Sequence, residues 1–211
     1  DGQDYAAKVS TTEAYDWPAT VSAQAPLVAV LDYGIKFNTL RLLAREGFRV
    51  RVLPAKSTAA DVLKLKPAGV MLSNGPADPA ALHYAAETIR GLLGRVPIMG
   101  ICLGHQLLGI ALGGKTRRLK FGHHGCNHPV MDLRTKTVEI TSQNHNYMVD
   151  ADSLDPDVAE ITHLSLNDRT VEGLEARKFP AFSLQYHPEA APGPHDAVPA
   201  FVRFRELIGR A

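Results

Sequence analysis

Residues 96–112 read VPIMGICLGHQLLGIAL, an apolar run that reaches Gly100-Ile101-Cys102-Leu103-Gly104 and continues as a helical pattern. Val96 to Ile101 carries no charge and predicts a strand buried on both faces. The apolar spacing beyond Cys102 predicts a helix that starts at once. A cysteine at the tip of such a strand-to-helix turn has the arrangement of a nucleophile elbow. Flanking glycines let the backbone turn without a Cβ clash. The helix aims the positive end of its dipole at the sulfur, and the N–H of Leu103 is placed to meet an oxyanion. A buried structural cysteine is the commoner fate of an intracellular thiol. The glycine-flanked junction favours a nucleophile.

Working outward, the same alternation of strands and helices recurs. Leu27 to Asp32 is a continuous apolar run, and Asn38 is placed to cap a helix from Thr39 to Glu46 that Gly47 stops. Phe48 to Leu53 alternates as a strand does. Ser57 or Thr58 starts a helix to about Lys66, and Gly69 to Leu72 is the next strand. Ser73 to Pro79 is rich in turn residues, and a helix from Ala80 to Leu93 returns the chain to Val96. This order predicts an α/β fold with a mostly parallel central sheet and helices on both faces. Beyond Lys115 the pieces turn β-rich, at Thr137 to Thr141, Val158 to Leu166, Val171 to Ala176 and Ala181 to Tyr186. They predict a smaller antiparallel region, with a hairpin turn at Asn167-Asp168 and a closing amphipathic helix from about Ala197 to Ile208. Residues 1–26 have no sustained period and read as a linker or the end of a preceding domain, ahead of one catalytic domain over 27–211.

Composition narrows the function classes. Twenty-three basic and 22 acidic residues leave a formal charge of +1, which argues against a nucleic-acid surface. No apolar run is long enough for a membrane span. The chain opens Asp1-Gly2-Gln3-Asp4 without Met or a secretory signal, which suggests a fragment or processed product. With only two cysteines, Cys102 and Cys126, a disulfide scaffold is not expected and a reducing, cytoplasmic setting is.

A cysteine hydrolase needs a base to handle the thiol proton and the leaving amine. His187 follows the apolar strand Ala181 to Tyr186 and precedes Pro188-Glu189. Pro188 holds the backbone extended, so Glu189 can lie on the same side and orient the imidazole, giving Cys102–His187–Glu189 as a triad. His123, His124, Cys126 and His128 are densely grouped, but their spacing matches no zinc pattern, so no metal is expected and a packed or solvated loop is. No phosphate loop occurs, so this chain alone is not expected to bind ATP or any other cofactor. Asn144-His145-Asn146-Tyr147 reads as a polar turn at the end of a strand.

These residues resemble a known family. GICLGHQ (Gly100–Gln106) is similar to the nucleophile motif of class I glutamine amidotransferases, and HPEA (His187–Ala190) to their second signature. LDYGIK (Leu31–Lys36), SNGPADP (Ser73–Pro79), KFGHHGCNHPV (Lys120–Val130), SQNHNY (Ser142–Tyr147) and HPEAAPGPHDA (His187–Ala197) resemble the small-subunit branch of carbamoyl-phosphate synthetases. The resemblance runs from Leu27 to the C-terminus and implies a flavodoxin-like fold. It implies attack on the glutamine amide by Cys102, proton transfer by His187 and orientation by Glu189. Leu103 and Gly75 would donate to the oxyanion, and Gln106, Asn144, Asn146 and Tyr147 would hold the amino-acid end beside Ala77. Ammonia would pass to a large synthetase subunit that uses ATP and bicarbonate, and an N-terminal domain absent here would contribute.

Departures from the family pattern fall around the substrate. Ala77 and Asn146 stand where Gly is usual, Tyr147 stands for Phe, and Cys126 replaces Gly. If Ala77 had φ > 0, the strain would be roughly 1 kcal/mol. The alternatives within this reading are an anthranilate or aminodeoxychorismate type of amidotransferase and a non-catalytic regulatory subunit.

Overall fold

The computed structural model describes residues 2–211. Its strands are β1 (Tyr15–Asp16), β2 (Leu27–Asp32), β3 (Arg49–Pro54), β4 (Gly69–Leu72), β5 (Ile98–Ile101), β6 (Thr116–Asp132), β7 (Val138–Val149), β8 (Ala159–Ser165), β9 (Val171–Ala176) and β10 (Ala181–Leu184). The helices are α1 (Ala6–Val9), α2 (Phe37–Arg45), α3 (Ala59–Lys64), α4 (His83–Leu92), α5 (Leu103–Ala111) and α6 (Pro199–Arg210). All strands join one sheet in the order β1-β3-β2-β4-β5-β10-β9-β8-β6-β7. The run β3-β2-β4-β5-β10 is parallel, while β10-β9-β8-β6-β7 is antiparallel.

The parallel half is held by apolar side chains on both faces. Leu31, Val70 and Leu72 pack with Val62 of α3, Ile89 and Leu92 of α4, and Leu107 and Leu108 of α5. On the other face Val28, Val30, Met71 and Met99 pack with Leu40 and Leu43 of α2 and Phe201 and Phe204 of α6. Fully burying one such side chain contributes about 1.5–3 kcal/mol relative to leaving it exposed. Thr58 and Asp61 form a capping box at the start of α3, and Gly47, at φ 90°, ends α2.

Several expectations change in the structure. Asn38 does not cap α2. The cap position is Lys36, and the Asn38 amide donates instead to the backbone carbonyl of Glu189. The helix placed at Ala80 begins as a 3-10 turn, Pro79–Ala81, before α4 starts at His83. The His-rich segment is strand, not loop, and Asn144 to Tyr147 lies inside β7 rather than at a turn. The antiparallel region is therefore larger than the periodicity indicates and continuous with the parallel one. Residues before 26 also carry structure: Ala6 is fully buried, and Tyr15–Asp16 pairs with Arg51 and Val52 of β3.

Candidate active site

Cys102 sits between β5 and α5 with φ 53° and ψ −103°. A non-glycine residue in that region costs about 1–3 kcal/mol and persists only where its surroundings over-determine it. Here they do. The Cys102 N–H donates to the Leu184 carbonyl at 2.9 Å, and the Gly104 N–H donates to the Ser73 carbonyl at 3.1 Å. A Cβ on Gly100 would lie 2.7 Å from the Gly104 oxygen, and one on Gly104 would lie 2.2 Å from the Leu72 oxygen. The two glycines thus allow α5 to close against β4, and that closeness forces the turn at Cys102.

The turn after β4 is fixed just as tightly. Ser73 Oγ accepts from the Tyr33 N–H and donates to the Asn74 carbonyl, and the Asn74 amide donates to the Gly34 carbonyl. A Cβ on Gly75 would stand 1.9 Å from the Tyr33 oxygen, so only glycine fits there.

His187 follows β10, and its N–H donates to the Ser142 carbonyl of β7 at 2.9 Å. Its Nδ1 lies 2.6 Å from Glu189 Oε1, and its Nε2 is buried with no hydrogen-bond partner among the described residues. Burial disfavours the imidazolium, but the neighbouring Cys102 and Glu189 outweigh it and push the His187 pKa up to about 10. Glu189 is fully buried. Burial alone would raise its pKa, yet His187 and then Lys36 hold it below the ordinary carboxylate range. Lys36 Nζ lies 3.1 Å from Glu189 Oε1 and also donates to the Ala190 carbonyl. Lys36 and Asn38, on the far side of the sequence, therefore buttress the histidine–glutamate pair.

Cys102 and His187 open onto a cavity of about 690 Å³. Gly75, Ala77, Gln106, Asn144, Asn146 and Tyr147 all line it, whereas Leu103 is buried behind the elbow. The side chains are already committed to one another. Gln106 Nε2 donates to the Tyr147 carbonyl at 2.7 Å and to Gln185 Oε1 at 3.0 Å. The Asn144 and Asn146 Oδ1 atoms face the two ring nitrogens of His124 at 3.0 and 3.3 Å. Neither Ala77 nor Asn146 is among the residues with positive φ, so replacing the usual glycines introduces no left-handed strain. Cys126 also lines the cavity, from β6, with its sulfur 3.7 Å from Ser142 Oγ.

Behind the β7 wall lies a polar network, buried at His123, Gln143, His145 and Glu172 and reaching the surface at Asp168. His123 spans Glu172 Oε1 at 3.2 Å and Asp168 Oδ2 at 2.9 Å, and Gln143 joins Glu172 to His145 Nε2. Hydrogen bonds to Glu172 lead the forces that raise the His123 pKa, against burial. His123, His145 and Glu172 bring ligand-type atoms within 4.8 Å of one another. The ring nitrogens of both histidines are nevertheless already hydrogen-bonded, and Cys126 and His124 turn away to other partners. Among the described residues no helix is long and apolar enough to cross a membrane.

A cysteine on a strained elbow beside a buried histidine–glutamate pair, at the end of a parallel run of strands, is the arrangement that an activated thiol nucleophile requires. Residues 29–207 match the family described as "Glutamine amidotransferase class-I", and the chain belongs to that family. A carbamoyl phosphate synthase small chain from Thermus thermophilus is 52% identical over 208 residues, covering 99% of this chain and 52% of that protein. The small chain from Chlorobaculum tepidum is 54% identical over 214 residues, covering 99% and 57%. The chloroplastic small chain of Arabidopsis thaliana is 49% identical over 221 residues, covering 100% and 51%. This chain thus spans about half the length of these curated relatives. A solved structure assigned as a GMP synthase component from Thermoplasma acidophilum superposes with a TM-score of 0.76 at 18% identity, covering 90% of this chain and 96% of that one. That likeness bears on the fold alone.

Proposed function

We propose that this chain hydrolyses glutamine to glutamate and ammonia through a Cys102 thioester, as the ammonia-producing part of a carbamoyl phosphate synthase. The observation that carries the reading is Cys102 held at a strained elbow, facing a cavity, with His187 and Glu189 hydrogen-bonded beside it. Cys102 Sγ attacks the side-chain carbonyl, and the oxygen takes up charge facing the N–H groups of Leu103 and Gly75. His187, which carries the proton in the resting site, delivers it from Nε2 to the leaving nitrogen as ammonia departs. It then takes a proton from the water that cleaves the thioester, and glutamate leaves. Glu189 keeps the imidazole oriented through Nδ1.

The glutamine head group would rest among Ala77, Gln106, Asn144, Asn146 and Tyr147. Residues 27–211 would form the amidotransferase unit, and residues 1–26 would connect it to the remaining half of the small chain. The ammonia acceptor would be a large synthetase chain that binds ATP and bicarbonate, with no cofactor held here. The free thiols of Cys102 and Cys126 suit a reducing compartment such as the cytoplasm.

The test is direct. An electrophilic glutamine analogue, 6-diazo-5-oxonorleucine, should modify Cys102, as read by peptide mass spectrometry. Free glutamine should slow the modification, and Cys102→Ala should remove glutaminase activity while preserving the circular dichroism spectrum. His187→Asn should cost about 10²-fold or more in turnover. Parent-level hydrolysis by Cys102→Ala would end the proposal.

A further inference from the structure

One fully buried amide stands beside the cavity and takes no part in the chemistry above. Gln185 directly follows β10, two residues before His187, and its N–H donates to the Glu172 carbonyl at 2.8 Å. Its side chain meets Gln106 of α5, whose Nε2 lies 2.7 Å from the Tyr147 carbonyl and 3.0 Å from Gln185 Oε1. A carbonyl oxygen only accepts, so the Gln106 atom beside it must be the nitrogen. The Gln185 atom that faces this nitrogen must then be the oxygen. One backbone carbonyl thus sets the direction of two amides in series. Both Nε2 hydrogens of Gln106 are used inside the protein, and its Oε1 is the polar atom left for the cavity that the residue lines.

We propose that Gln185 is a positioning residue that fixes the Gln106 amide with Oε1 toward the ligand, so that the cavity selects for the α-ammonium group of glutamine. This rests on the glutamine reading of the cavity. An oxygen accepts from an ammonium and repels a carboxylate, so an amide held in this sense tells apart the two charged groups on the α-carbon. Tied to the Tyr147 carbonyl alone, the amide could tilt about that one bond. The second bond, to Gln185, fixes its plane. Cross-linking α5 to the end of β10 would account for the hydrogen bond, but not for a glutamine at position 185. Among the described residues, Gln185 Nε2 is buried without a partner, and an orphaned donor offsets what one neutral hydrogen bond contributes to stability. What the residue supplies is an acceptor at a set place. Losing that acceptor weakens the hold on ligands that carry an α-ammonium and leaves those without one nearly unaffected.

The experiment measures binding of glutamine and of glutaramate, which lacks the α-amino group, by calorimetry in the Cys102→Ala background, where neither is consumed. The background protein should favour glutamine by roughly 10–100-fold, the scale of one hydrogen bond to a charged group. Gln185→Met should cut that preference about tenfold, through weaker glutamine binding, while glutaramate changes by less than about twofold. Gln106→Met, which removes the contact itself, should cut it at least as far. Gln185→Glu keeps an acceptor and should hold the preference within about threefold of the background. An unchanged preference in Gln185→Met would overturn the proposal. So would equal weakening of both ligands, which would assign Gln185 to the shape of the cavity, or a loss in Gln185→Glu as deep as in Gln185→Met. If Gln185→Met does not fold, Gln185→Asn, which draws the acceptor back by one methylene, decides by the same measurement. A background protein that binds neither ligand would end the glutamine reading and this proposal with it. Glutamine binding whose preference is insensitive to position 185 would end only the role given to Gln185.

Discussion

Strands β2, β4 and β5 are buried by apolar side chains over nearly their whole length, whereas the β6–β9 arm buries His123, Gln143, His145, His163 and Glu172 among its apolar residues. The two halves meet at the cavity, and each supplies what its construction allows. Close packing resists displacement in every direction, so the apolar half can hold the strained backbone of Cys102. The arm fixes the opposite wall through directional bonds, in which each buried polar atom needs its partner. Nucleophile and wall therefore fail in different ways, and perturbations can be chosen to separate them.

The largest effect should come from filling the contact that forms the elbow. A Cβ at position 104 would stand 2.2 Å from a backbone oxygen, which a rotamer change cannot relieve. Gly104→Ala should destabilise the fold by about 3 kcal/mol or more and abolish labelling of Cys102 by the glutamine analogue. Gly209→Ala, in α6, meets nothing within 4 Å and should instead gain about 0.5–1 kcal/mol from helix propensity. Denaturant melts of the two variants give the contrast. A mild, equal cost for both would mean that the elbow is not held by packing.

The same contrast decided what the sequence disclosed. In the parallel half, apolar runs punctuated by glycine carry the fold in local pattern, so Gly69–Leu72 and the strand–elbow–helix unit were legible. In β6 the pairing with β7 shifts register between Arg118 and His123 and again between Gly125 and His128. Those irregularities erase the two-residue period, and a 17-residue strand reads as a loop. Cys102, His187 and Glu189 were legible because each lies in a motif beside a strand end. The buttress from Lys36 and Asn38 was not, since these side chains meet Ala190 and Glu189 from 154 and 151 residues away. The docking of residues 2–16 was equally hidden. A single buried alanine and a two-residue strand leave no periodic trace.

A moderate effect should follow acidification, and it should fall mainly on the arm. Burial, chiefly, lowers the pKa of His145 to about 3 and of His163 to about 4, and in the parallel half that of His105 to about 3. For each, the folded pKa lies below the ordinary value near 6.5, so the unfolded chain binds more protons as pH falls through 6.5, and stability drops. At pH 5 each can cost up to about 2 kcal/mol. His123 works in the opposite sense. Its raised pKa adds stability as pH falls through the folded value, in full below about 6.5, which offsets part of the loss in the arm. With two of the three neutral histidines in the arm, amide protection in β7 and β8 should fall more between pH 7 and pH 5 than in β2 and β4. Hydrogen exchange corrected for intrinsic rates measures this. Uniform loss across the sheet would show that the halves are not separable.

The smallest effect concerns Cys126, the one thiol that the arm contributes to the cavity. It lies on an exposed stretch of β6, and the contact its sulfur makes with Ser142 Oγ is long, at 3.7 Å. Cys102 differs in each respect that matters for attack. It is buried, stands at the head of α5, and has the imidazolium of His187 beside it. Cys126→Gly should change stability by about 1 kcal/mol or less, the cost of a glycine within a strand at a surface position whose one side-chain contact is long. A limiting amount of the glutamine analogue should modify Cys102 alone, although both sulfurs face the same space. That selectivity would have to come from the elbow and the histidine, because access favours Cys126. Peptide mass spectrometry across a pH series reads both thiols in one sample. If Cys126 is modified first, exposure rather than activation governs reactivity here, and the division of labour between the two walls is wrong.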